Sequence, residues 1–166
     1  YVKVIKRNFL IENNLLFEEG IFSEDIGWSG RLLMCAKQID VFSSAFYSYI
    51  IRKTESITSS IEKKNLVDIL NQIDDAVKSI ENVREDNEKA LYYEYWAYQY
   101  SMILGDVPRI KNKNDYEMLV SRCRKNTFLL KYNHQKKVRI VSWLYKIIGL
   151  RGTMLLLMCY IKFIWR

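Results

Sequence analysis

The sequence predicts an α+β chain that is mostly helical, and three observations carry that reading. Leu66, Leu70, Ile73, Val77 and Ile80 recur at alternating spacings of four and three, which draws one apolar stripe along a helix. Residues 89–104 hold Tyr92, Tyr93, Tyr95, Trp96, Tyr98 and Tyr100 in one helical segment that Gly105 and Pro108 stop. Residues 39–42 and 46–51 are β-branched and aromatic and read as two short strands.

Taken in order, residues 6–14 predict a short helix, followed by a turn through Glu18, Glu19 and Gly20. From Glu24 or Asp25 to about Lys37 a second helix gathers Ile26, Leu32, Leu33 and Ala36 on one face. The strand at 46–51 alternates Phe46, Ser48 and Ile50 with Tyr47, Tyr49 and Ile51, which suits sheet packing on both faces. A boundary falls near Thr58, Ser59 and Ser60. Ser59 and Glu62 have capping-box spacing ahead of a helix over 61–86. Its stripe is too short for a long coiled coil, so it packs within the same molecule. Beyond the aromatic helix, another is predicted over 115–132, opened by Asn114 or Asp115. Two more follow, near 135–148 and 153–165, broken at Gly149 and Gly152.

Charge is unevenly placed. The net is +7, yet residues 1–117 hold fifteen basic against all nineteen acidic residues, a net of −4. After Glu117 no acid occurs and eleven Lys and Arg do, so the basic surplus belongs to the end of the chain, where it suits an anionic partner. Cys35, Cys123 and Cys159 are odd in number and far apart, and His134 is the one histidine. Neither a disulfide framework nor a cysteine-based zinc site fits, and the cysteines read as those of a reducing, cytosolic setting.

The residues with the most chemistry are Glu24 and Asp25, a carboxylate pair between a glycine-containing loop and an amphipathic helix. There a side chain can face a cleft while its backbone stays anchored. Alone, such a pair also reads as helix-start acids favoured by the dipole. The flanking text runs through Lys6 to Leu15, then Ser23-Glu24-Asp25-Ile26, then residues 47–52 and Ser56-Ile57. It resembles the acceptor-side half of family 2 glycosyltransferases, closely over residues 1–60 and only in general character beyond.

The resemblance implies the C-terminal part of a GT-A domain, with few short strands, followed by a helical tail. With the boundary near Thr58 and the cationic end of the chain, this gives a remnant of the catalytic domain (1–58), a helical domain (59–132) and a basic amphipathic tail (133–166). The resemblance also implies an inverting transfer from a nucleotide-sugar donor to a hydroxyl of a glycan or lipid-linked acceptor in bacterial polysaccharide assembly. Asp25 would be the general base, and Glu24 would orient the site or bind the acceptor. Trp28 offers either a face for a sugar ring or core packing, and Arg7 and Arg52 either pair with the donor diphosphate or make structural ion pairs. The family usually holds a divalent metal, Mn²⁺ or Mg²⁺, with an Asp-x-Asp motif on its nucleotide-binding half. This sequence contains no Asp-x-Asp, and Asp74-Asp75 reads as a solvated helix face. The chain is therefore expected to be a fragment, inert alone and binding no metal.

The apolar and cationic stretch 138–165 has an uncharged run of only 152–161, short of the roughly 20 residues of a spanning helix. It reads as interfacial helices on an anionic membrane surface, at the cytoplasmic inner face of the cell membrane, or as a tail folded onto the protein. No nucleic-acid recognition motif is evident. The rival reading from another class is a non-catalytic helical membrane-binding or scaffold module.

Overall fold

The computed structural model describes residues 3–41 and 61–164. Among them lie α1 (Arg7–Glu12), α2 (Glu24–Cys35), α3 (Lys63–Glu81), α4 (Asp86–Ile103), α5 (Lys113–Lys125) and α6 (Lys136–Ile164), with 3-10 turns at Val107–Arg109 and Thr127–Lys131. The chain is mostly helical, and no strand occurs among the described residues. Ile39 and Val41 stand 66% and 92% exposed in irregular backbone, so no burial rewards the extended ladder that their composition predicts. Phe42 and the whole of 46–51 lie outside the described residues.

α4 is the axis of the fold. Tyr92, Tyr93, Trp96, Ala97, Tyr100 and Ile103 are buried along it, and it packs against α2, α3, α6 and the second 3-10 turn. Aromatic side chains bury more area per residue than any others, which lets one helix serve several neighbours. The fully buried Tyr100 hydroxyl donates to the Cys123 carbonyl at 2.8 Å, so its polar end is satisfied and ties α4 to α5. The α3 stripe packs as its spacing predicts: Leu66, Leu70, Ile73 and Ile80 are buried in the same cluster, with Val77 half-buried beside them.

Several boundaries differ from expectation for identifiable reasons. α3 starts at Lys63 with Glu62 at the N-cap, three residues later than a Ser59 capping box would place it. The helix expected over 115–132 begins at Lys113, because the Asn112 side chain accepts from the Asp115 amide at 3.1 Å and caps it. It ends at Lys125. Asn126 leaves helical backbone and its side-chain amide donates to Asp74 at 2.8 Å, while Arg122 pairs with the same carboxylate. Asp74 is thus a link between α3 and α5 rather than part of a solvated face; Asp75 beside it is exposed.

The last helix is no appendage. Val138, Val141, Leu150 and Met154 of α6 belong to the same core as α3 and α4. It consists of two helical stretches that meet at the non-helical Gly149 (φ 70°, ψ 178°), the break expected there, whereas Gly152, the other expected break, stays helical. That backbone region is open essentially to glycine alone. Gly149→Ala is expected to lower stability by about 1–3 kcal/mol in urea unfolding. An unchanged midpoint would show that the bend is not required for packing α6 on the core.

Candidate functional site

The loop that leads into α2 is held from two sides. On one side, Trp28 donates its indole N–H to the Leu15 carbonyl at 3.0 Å, and its ring stacks on Phe17 at 4.8 Å. Arg31 pairs with Glu18 and donates to the Leu16 carbonyl at 2.9 Å. On the other side stands the row Lys64, Asp68 and Gln72 of α3. Lys64 donates to the Gly20 carbonyl at 2.8 Å, and Asp68 accepts from the Phe22 amide at 2.9 Å. Gln72 accepts from the Gly27 amide at 2.6 Å and donates to the Phe22 carbonyl at 3.2 Å.

This clamp needs close approach, and two glycines permit it. A Cβ on Gly27 would stand 2.6 Å from the Gln72 Oε1, and one on Gly30 would stand 2.5 Å from the Trp96 ring. Between the clamped segments, Ser23 is forced into left-handed backbone (φ 55°, ψ 46°) and its side chain makes no cap. A non-glycine residue there costs roughly 1–2 kcal/mol, and the hydrogen bonds on either side hold it in place. The strain sits immediately before Glu24 and Asp25.

Both carboxylates lie exposed on the first turn of α2. Asp25 stands one turn before Ser29, and its charge acts on the phenol of Tyr95. Burial pushes Tyr95 up to about 12, the Asp25 carboxylate adds to that rise, and hydrogen bonds with Ser29 and Gln99 oppose it. Tyr95 therefore stays protonated at neutral pH and donates to the Ile26 carbonyl at 2.7 Å. Ser29 and Tyr95 also line an open trough of about 1,100 Å³, with Lys3, Lys6, Phe9 and Leu32 on its other sides. Neither Glu24 nor Asp25 lines this trough; Asp25 stands one turn before Ser29, which does. A smaller cleft of about 400 Å³ lies between α2 and α3, lined by Gly27, Gly30, Asp68 and Gln72.

The other predicted residues separate. Trp28 is 9% exposed and covered by Phe17, so of its two predicted uses the structure shows core packing, with no open face for a sugar. Arg7 is exposed at the start of α1 and does not line the trough. Arg52 lies outside the described residues. Among the described residues no group of three or more His, Cys, Asp or Glu side chains is placed to hold a cation. The described residues offer no such set for the divalent metal, which the resemblance places on the nucleotide-binding half, so no step is routed through one.

Sequence reasoning missed Lys64, Asp68 and Gln72. They recur at i, i+4 and i+8 off the apolar stripe, on the face a helix ordinarily gives to water. The available signal lay in α2, where Gly27 and Gly30 are helix-weakening residues with a packing reason.

Compared with known proteins, the chain matches no family model, no curated protein and no solved structure.

Asp68 gives the clamp a pH dependence. Burial raises its pKa, but the Lys64 ammonium and the Phe22 amide outweigh this and leave it below the usual value. Its contribution is therefore fully present above the unfolded carboxylate pKa of about 3.9 and is lost as pH falls through the lower folded value. The protection factor of the Phe22 amide in hydrogen exchange should hold at neutral pH and fall in that acid window. Asp68→Ala, which leaves this amide without its acceptor, is expected to cost about 1–3 kcal/mol at neutral pH. Protection unaffected by both acid and substitution would place the anchor of the loop elsewhere.

Proposed function

We propose that this chain is the acceptor-side portion of an inverting family 2 glycosyltransferase. It moves a sugar from a nucleotide-sugar donor to a hydroxyl of a glycan or lipid-linked acceptor at the cytoplasmic face of the cell membrane. The observation that carries the reading is the placement of Asp25. It is a solvent-accessible carboxylate on a helix start whose flanking backbone is pinned by Asp68 and Gln72, one turn before Ser29 on the wall of a trough of about 1,100 Å³. The resemblance of residues 1–60 to that family supports the same assignment.

The chemistry asked of this chain is one proton transfer. As the acceptor oxygen attacks the anomeric carbon and the glycosyl–phosphate bond breaks on the opposite side, the hydroxyl proton passes to an Asp25 carboxylate oxygen. The nucleoside diphosphate departs with the bonding electrons. Glu24, on the same turn, orients the acceptor. A carboxylate is a suitable base here because the proton becomes acidic only as the new bond forms. The clamp fixes the acid's position before the acceptor arrives, which is where orientation lowers the barrier.

α6 favours a second reading, a non-catalytic helical membrane-binding module, in which Glu24 and Asp25 merely favour the helix start. Turnover separates the two. In the complete enzyme, Asp25→Asn keeps the size of the side chain but cannot take the proton. Single-turnover transfer at saturating donor and acceptor should fall by about 10²–10⁴-fold, with donor affinity nearly unchanged. Glu24→Gln should cost less, and Asp86→Asn, at an exposed acid on the start of α4 outside the trough, should be neutral. A folded Asp25→Asn enzyme with near-normal turnover would leave the pair as helix-start acids.

A further inference from the structure

α6 has two apolar faces, and the core uses only one. Val138, Val141, Leu150 and Met154 point inward. On the opposite side Ile140, Trp143 and Ile147 recur at spacings of three and four and are 50%, 61% and 59% exposed. Past the bend at Gly149 the pattern resumes with Leu156, Cys159 and Phe163, and Tyr160 beside them. Phe163 is 84% exposed. Such a face on a helix already packed against its own domain is covered by something else.

The charges choose the occupant. α6 carries Lys136, Lys137, Arg139, Lys146, Arg151 and Lys162 and no acid. Arg139 and Lys146, seven positions apart, run by helical spacing along one flank of the first outer stripe; Lys162 lies beside the second, while Arg151 is paired with Glu117 of α5 at 2.6 Å. A second copy of the chain docked face to face would set like-charged flanks against each other. An anionic bilayer surface would satisfy both the stripe and the flanks.

By length and composition α6 is also long and apolar enough to cross a membrane. Crossing would bury Lys146 and Arg151 near mid-helix, at about 2.5–3.5 kcal/mol each, and would strip Val138 and Met154 from the core. Lying in the plane of the interface costs neither.

We propose that the outer face of α6 docks in the plane of an anionic lipid bilayer, with Trp143, Ile147, Leu156 and Phe163 seated at headgroup depth. This deepens the membrane placement given under the proposed function and rests on it, but it does not depend on Asp25.

The test uses the full chain and phosphatidylcholine vesicles with and without phosphatidylglycerol, and needs no sugar or nucleotide. Failure here therefore leaves the catalytic reading standing, and an inactive Asp25→Asn enzyme says nothing about docking. Wild-type protein should float with the anionic vesicles and be released between about 0.1 M and 1 M salt, as the Debye length shortens from about 10 Å to 3 Å. Arg139→Gln with Lys146→Gln should weaken binding at low salt by at least about tenfold. Trp143→Glu with Phe163→Glu, both on exposed positions, should abolish it while the circular dichroism spectrum is kept. Trp143 fluorescence should be quenched by bromines placed shallow in the acyl chains. Equal binding to neutral vesicles at every salt, or quenching strongest at the bilayer centre, would overturn the proposal. So would a vesicle-independent dimer that the Trp143 and Phe163 substitutions dissolve.

Discussion

The arrangement around the acid pair depends on how closely α2 lies against α3 and α4. Two positions on α2 tolerate no side chain there, Gly27 against Gln72 and Gly30 against Trp96. With that spacing closed, the Gln72 amide reaches two backbone groups on either side of Ser23, and Asp68 reaches a third. Hydrogen bonds to a charged acceptor are roughly twice as strong as neutral ones. Asp68, 9% exposed and paired with Lys64, supplies such an acceptor. The left-handed Ser23 persists because its neighbours on both sides are fixed. Loosening the glycine contacts would let the loop relax and turn Glu24 and Asp25 away.

α4 connects this region to the far end of the chain. Its Trp96 meets Gly30 of α2, its Tyr95 holds the Ile26 carbonyl, and its Tyr100 holds α5. α6 then closes the core against α4 with one of its two apolar faces. The end of α4 is also tightly fitted: a Cβ on Gly105 would stand 2.6 Å from Ile161. Removing the final helix would therefore open the core, so point substitutions on its outer face are the appropriate probe of docking.

The helical frame was legible because it rests on periodicity. The stripe from Leu66 to Ile80, the glycine and proline stop after α4, and the extent of α2 are local signals that tertiary packing did not override. Boundaries set by a single side chain were less legible. Asn126 ends α5 because Asp74, far off in sequence, offers it a partner, and Asn112 takes the cap position because its amide oxygen reaches Asp115. Composition suggested strand at Ile39 and Val41, but β-propensity reflects fit to a half-buried surface, and these side chains stand largely in solvent. At the candidate site the sequence singled out the acids and not what holds them. Lys64, Asp68 and Gln72 lie on a helix face whose polarity normally marks solvent. Trp28 shows the converse: an aromatic one turn from an acid is consistent with a sugar platform, and only the stacking of Phe17 reveals it as core.

If Asp25 is the base, as proposed, the Gln72 clamp matters to function because it aims that carboxylate. A double-mutant cycle of Gln72→Ala and Asp25→Asn in the complete enzyme, read as single-turnover transfer with folding checked, tests this directly. Gln72→Ala should slow transfer when Asp25 is present and should add no further loss once Asp25 is Asn, because there is then no base left to aim. Fully additive losses would mean that the two residues act independently, and would contradict the account.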